Sequence, residues 1–163
     1  MADNQFIAVH RGGLLDLQRH RMLAAWAADC AERVLSHFEA IGDDDRPRRA
    51  IEVARAWGRG EVATGVAQAV AVAAHRAARE ARDPAAAAAA LAAGHAAATA
   101  HLGNHAPKAA HQALCAVAAA GGDAEAERNW QRARLPEAIR ELVITALASR
   151  KFQRLERVPA RAG

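Results

Sequence analysis

The run DPAAAAAALAAGHAAATAHLGNHAP, residues 83–107, is either a helix or a disordered low-complexity tract, and that choice settles the class of the protein. Its composition alone is ambiguous, but its ends are not. Asp83 can cap a helix whose first turn holds Pro84, where a missing N–H costs nothing. Gly103-Asn104 breaks the run near His101. Between these signals alanine dominates, the residue that loses no side-chain entropy on becoming helical. The reading is therefore a helix from Pro84 to about His101.

The same punctuation recurs outward from it. A preceding helix is expected over about Glu61–Arg82, with Gly65 weakening it by roughly 1 kcal/mol relative to alanine. Downstream, Asn104 can cap a helix carrying Pro107 and ending at Gly121-Gly122. Asp123 can cap another to about Arg134. Pro136 opens the last, with Ile139, Leu142, Val143, Ala146 and Leu147 on its core side. Upstream, Asp16 can cap a long helix to about Ala40, striped by Leu23, Trp26, Cys30, Val34, Phe38 and Ile41. Gly42 and Asp43, Asp44 and Asp45 end it. Pro47 starts a helix carrying Ile51, Ala54 and Trp57 that stops at Gly58 and Gly60. No segment alternates as a strand would. The expectation is all-α: one compact bundle of six to seven alanine-rich helices over residues 1–163, with an N-terminal arm at 1–13 and a frayed tail at 158–163.

The chain has 163 residues, 48 of them alanine, with no tyrosine, three Phe and three Trp. Alanine buries little area. Helices built from it gain stability by bringing their axes close, so that backbone dispersion contacts contribute more. The net charge is +4. Arginines are scattered through every helix, with one concentration at Arg150, Lys151, Arg154, Arg157 and Arg161. Without interleaved aromatics or a recognised motif, this pattern argues against nucleic acid as the partner. Cys30 and Cys115 sit in apolar helical patterns and are expected to be reduced, buried thiols. No leader-like apolar core precedes them and no run is long enough to span a membrane, so a cytoplasmic protein without a membrane partner is expected.

Three groups of residues are candidates for chemistry. Asp29 lies beside Cys30, at the edge of the apolar stripe, and can pair with Arg33 four residues on. In Asp43–Glu52, Asp45 can cap, while Arg49 can fork onto a carboxylate such as Asp29 or Glu52, fixing helix register or recognising an anion. The third group is His75, His95, His101, His105 and His111. His95 and His101 are six residues apart, so on one helix they point about 120° apart. The break at Gly103-Asn104 can fold His105 back towards His101. No Glu stands between closely spaced histidines and no third ligand lies nearby, so no metal is expected. Phosphate loops and nucleophile elbows are absent from the sequence too, and no cofactor is expected.

The segments Leu23–Leu35, Asp44–Glu52, Ala73–Glu80 and Ala93–His101 with His105-Ala106 resemble a bacterial family of small helical proteins. These carry an immunity-protein label, the type-five-like group of polymorphic toxin systems, and the resemblance spans roughly residues 20–145. It implies a protein that binds and neutralises a cognate toxin, with no catalytic residues. Asp29, Arg46, Arg49, Glu52, His95, His101 and His105 match its pattern, as does the segment around His75, and they are the binding candidates. Immunity proteins that occlude a basic nuclease are often acidic. This chain is basic, which points away from a nuclease and towards an acidic partner or a role unrelated to toxins.

The leading expectation is therefore a non-enzymatic interaction module. The alternative is a small-molecule-binding protein, for an anion among others, or a small helical enzyme. Its pocket would join Asp29, Arg49 and the His95, His101 and His105 cluster, with Asp29, His95 and His101 as the catalytic groups. A third reading is a scaffold that self-associates into a homo-oligomer through alanine faces.

Overall fold

A computed structural model describes residues 4–148. Its described residues form eight α-helices and no strand: α1 (Leu17–Glu32), α2 (Leu35–Glu39), α3 (Arg46–Gly58), α4 (Thr64–Glu80), α5 (Pro84–Ala98), α6 (His105–Ala119), α7 (Ala124–Ala133) and α8 (Glu137–Ala148). The all-α expectation holds. The tail at 158–163 and the basic concentration from Arg150 lie outside the described residues.

The ambiguous alanine tract is the centre of the molecule. In α5, Ala85, Ala86, Ala88, Ala89, Ala90, Ala92, Ala93, Ala96, Ala97 and Ala98 are all buried, and after Pro84 only the narrow stripe of Ala87, Leu91 and His95 is partly open to water. A helix apolar all round has to be an interior helix. Helices α1, α2, α3, α4 and α6 all pack against it. The side chains between these axes are mostly methyl groups, which is what lets five helices surround a sixth. Larger side chains complete the same core: Leu23, Trp26, Val34, Phe38, Ile51, Ile139 and Val143 are buried.

Three of the expected caps form. Asp16, Asp83 and Asp123 accept from the backbone N–H groups of Arg19, Ala86 and Ala126. Two expected caps do not. Asn104 and Asp45 occupy the right positions but make no side-chain cap bond. At α3 it is the carboxylate of Asp44 that accepts from the Arg46 N–H, at 3.0 Å, because Asp45 itself has φ −93° and ψ 1° rather than extended backbone. The first expected helix is also two. The ladder ends at Glu32, Val34 turns at φ −113°, and α2 leaves in a new direction that lays Leu35 and Phe38 into the core beside α5.

The arm before α1 is tied down. Asn4–Phe6 and Val9–Arg11 are 3-10 turns, and Phe6 is buried. The Phe6 carbonyl accepts from the Gly103 N–H at 3.2 Å, and the Leu15 carbonyl accepts from the Val9 N–H at 3.0 Å within an Ala8–Leu15 bridge. The arm thereby lies along the loop that joins α5 to α6. Ion pairs tie other helices together. Arg33 forks onto Glu127 of α7 at 3.1 and 3.0 Å, and Trp130 lies 4.3 Å beneath its guanidinium. Glu127 is 8% exposed, so this partner satisfies a carboxylate that burial would otherwise penalise. Among the described residues no helix is long and apolar enough to cross a membrane.

Candidate functional site

The sequence-derived candidates fall into separate places. Asp29 does not take Arg33, which Glu127 has claimed, nor Arg49. It accepts from Arg55 of α3 at 2.9 Å, and Glu32 shares the same guanidinium at 2.7 Å. Arg46 is held between Asp44 and Glu80, linking the start of α3 to the end of α4. Arg49 and Glu52 are exposed, and their side chains make no hydrogen bond or ion pair among the described residues. Asp29 pairs with arginine, and Arg49 pairs with no histidine among the described residues, so the pocket expected to join them is not assembled.

Three of the histidines do meet. His75 of α4, His95 of α5 and His105 at the start of α6 form a continuous seam. The rings of His75 and His95 are edge to face at 5.0 Å, and those of His95 and His105 are stacked at 5.2 Å. The Nδ1 atoms of His95 and His105 are 2.9 Å apart, so one ring donates and the other accepts. The close approach depends on Gly94. A Cβ there would lie 2.3 Å from Cδ2 of His75, so the imidazole occupies the space of a missing side chain. Burial pushes His95 down to about 3, helped by His105 and His75, and His105 down to about 4, helped by Lys108. His75 is lowered for the same reason, burial first and Arg79 second. All three rings are therefore neutral near pH 7. Among the described residues no group of three or more His, Cys, Asp or Glu is placed to hold a metal ion. His111 instead approaches Cys115, at 3.5 Å. Both thiols are free; Cys30 is fully buried but Cys115 only half so, and burial raises the pKa of each.

His101 goes elsewhere. As the six-residue spacing from His95 expects, it lies away from the seam, and His105 folds back towards His95 instead. The Nδ1 of His101 accepts from Gln68 at 2.9 Å and its carbonyl accepts from Arg11 at 3.1 Å. With Nδ1 accepting, the neutral ring carries its proton on Nε2. His101 lines a cleft of about 670 Å³ between the N-terminal arm, the first turns of α1 and the end of α3. Its floor is Leu15, Trp57, Val62 and Ala100. Its polar lining is His10, Arg11, His20, Arg21, Thr64 and His101, and none of its lining residues is acidic.

His20 and Arg21 are the residues sequence reading missed. His20 is 2% exposed, donates from Nε2 to the Thr99 carbonyl at 2.5 Å, and stands edge-on to Trp57 at 4.6 Å. Burial lowers its pKa. Arg21 lies over Gly60, where a Cβ would be 2.8 Å from a guanidinium nitrogen. Gly60 has φ +76°, a left-handed conformation that already favours glycine. Arg21 makes no hydrogen bond or ion pair among the described residues, and its Nε is buried without a partner. One signal was legible: the positions three and four away from Arg21 are Leu17, Gln18, Ala24 and Ala25, none of them a carboxylate.

An all-α body built round a buried alanine helix, with a neutral histidine seam inside and an acid-free cationic cleft outside, is the class that fold and site define. The chain belongs to the family described as Imm-5 like putative immunity protein, whose model matches residues 13–138. The match covers the cleft from Gly13 onward and the whole histidine seam. No curated protein and no solved structure matches the chain.

Proposed function

We propose that this protein is the immunity half of a bacterial toxin–immunity pair, and that it neutralises a cognate toxin in the cytoplasm by direct, non-covalent binding rather than by catalysis. Membership of the immunity family across residues 13–138 carries the reading. The rest of the molecule supports it. Interhelical ion pairs and close alanine contacts make a body with little freedom to lose on binding, which favours affinity. Most candidate site residues are occupied in holding helices together: Asp29, Arg46, His75, His95 and His105 all have partners within the fold. Arg49 and Glu52, exposed on α3, and His101, at the cleft, remain for contact with the toxin.

Co-expression with the toxin domain encoded beside it tests this. The expected result is restored growth together with a stable complex of the two chains on gel filtration. Restored growth with no complex, or a toxin found covalently altered after mixing, would overturn direct binding.

A further inference from the structure

We infer that the cleft between the N-terminal arm, α1 and the end of α3 docks an acidic segment of the partner protein, with a carboxylate on Arg21 and an apolar side chain against Trp57. This rests on the proposed immunity role and assigns that role a place and a chemistry.

Three features of the cleft point the same way. The first is charge without neutralisation. Five arginines elsewhere, Arg33, Arg46, Arg48, Arg55 and Arg59, each hold a carboxylate, whereas exposed Arg49 holds none but does not line the cleft. Arg21 holds none. The acids nearest the rim in sequence are already engaged, Asp16 by Arg19 and Glu61 by Arg59. The cleft therefore keeps the charges of Arg11 and Arg21, beside histidines that can donate. A guanidinium presents a planar fork that suits a carboxylate, and its partly dry setting strengthens that bond.

The second is that the polar groups stand among apolar ones. Val9 and Leu17 line the cleft at 59% and 54% exposure, and Leu14 beside them is 63% exposed. Large aliphatic side chains left open round one cationic hollow suit a ligand that is apolar and acidic together, as an extended peptide with alternating side chains would be. The third is shape. A second hollow of about 470 Å³ shares Leu17 and Arg21 and continues past Met22 to Gly58. It too has no acidic lining. The two together form a trough along α1, long enough for several residues of a segment passing over Arg21.

Charge also selects against other occupants. A second copy of this chain brings a net charge of +4. The chain's own last residues carry Arg150, Lys151, Arg154, Arg157 and Arg161. Both are repelled by the cleft.

Fluorescence anisotropy on the full chain tests the assignment, with three labelled hexapeptides as probes: alternating Glu and Leu, alternating Gln and Leu, and alternating Lys and Leu. The first should bind and weaken as salt is raised; the other two should not bind. Arg21→Gln should weaken binding about tenfold or more. Leu17→Glu should abolish it, and its fold should survive because a carboxylate in the first turn of a helix is favourable there. Equal binding of all three peptides, or an unchanged affinity in Arg21→Gln, would overturn the assignment. So would a change of oligomeric state in Leu17→Glu on sedimentation, because that places a second copy in the cleft. The toxin complex separates the two proposals. A complex that tolerates both substitutions sinks the cleft and leaves the immunity role standing. Acidic-peptide binding without any toxin complex does the reverse.

Discussion

The histidine seam and the cationic cleft are built from the same residue types and behave as opposites. In the seam, His75, His95 and His105 come from three helices and turn towards one another, with burial holding them neutral. In the cleft, His10, His101, Arg11 and Arg21 stand round an open hollow, and the charge on Arg21 has no carboxylate beside it. The seam holds together the central helices of the bundle, whereas the cleft leaves a cation for something else to neutralise. A histidine or arginine thus acquires its role from what packs against it, and the same side chain is mortar in one place and contact surface in another.

The largest way to break this contrast is acid. In the folded state His95 and His105 protonate near 3 and 4, whereas in the unfolded chain they protonate near 6.5. Their folded values are depressed, so the unfolded chain binds more protons as the pH falls. Stability from the seam is fully present above about pH 6.5 and is lost progressively down to about pH 4 for His105 and about pH 3 for His95, with each histidine contributing a slope of up to about 1.4 kcal/mol per pH unit. Urea unfolding across this range should show a steep loss. His105→Gln should flatten the slope, and a flat profile for the native chain would remove the claim that the seam is neutral and buried.

Next in size is Gly94→Ala. The added methyl collides with the His75 ring, and the strain should outweigh the gain in helix propensity, destabilising the protein by about 1–3 kcal/mol in chemical unfolding. Gly65→Ala gives the control. Nothing lies within 4 Å of its added methyl, so propensity alone acts, and a stabilisation of a few tenths to about 1 kcal/mol is expected. Equal effects from the two substitutions would contradict the close approach of α4 and α5. Smallest of all is Arg21→Gln, expected to move the thermal midpoint by the equivalent of less than about 0.5 kcal/mol, because it breaks no bond in the fold. A large loss there would show Arg21 to be a structural residue.

Much of the architecture could be read from the chain, because helix signals are local. The caps at Asp16, Asp83 and Asp123 and the prolines at 47, 84 and 107 follow from backbone chemistry within one turn. The caps that failed, at Asp45 and Asn104, depend on a ψ angle that the adjoining loop dictates. Pairing was less legible. Spacing made Asp29 and Arg33 partners, but a fork onto buried Glu127 and a ring contact with Trp130 took Arg33 away. Spacing also separated His95 from His101 correctly, yet could not say that His105 returns to His95 rather than to His101.

By itself the sequence determined that helices form, where most of them start and stop, and that alanine must bring them close together. It also carried the family resemblance that bounds the function. Which residues share a site was decided only by the packing of the helices. The angle between two helices is fixed by the interlocking of whole surfaces, and no local rule connects His75 to Gly94, or Arg21 to Gly60, across the gap between them.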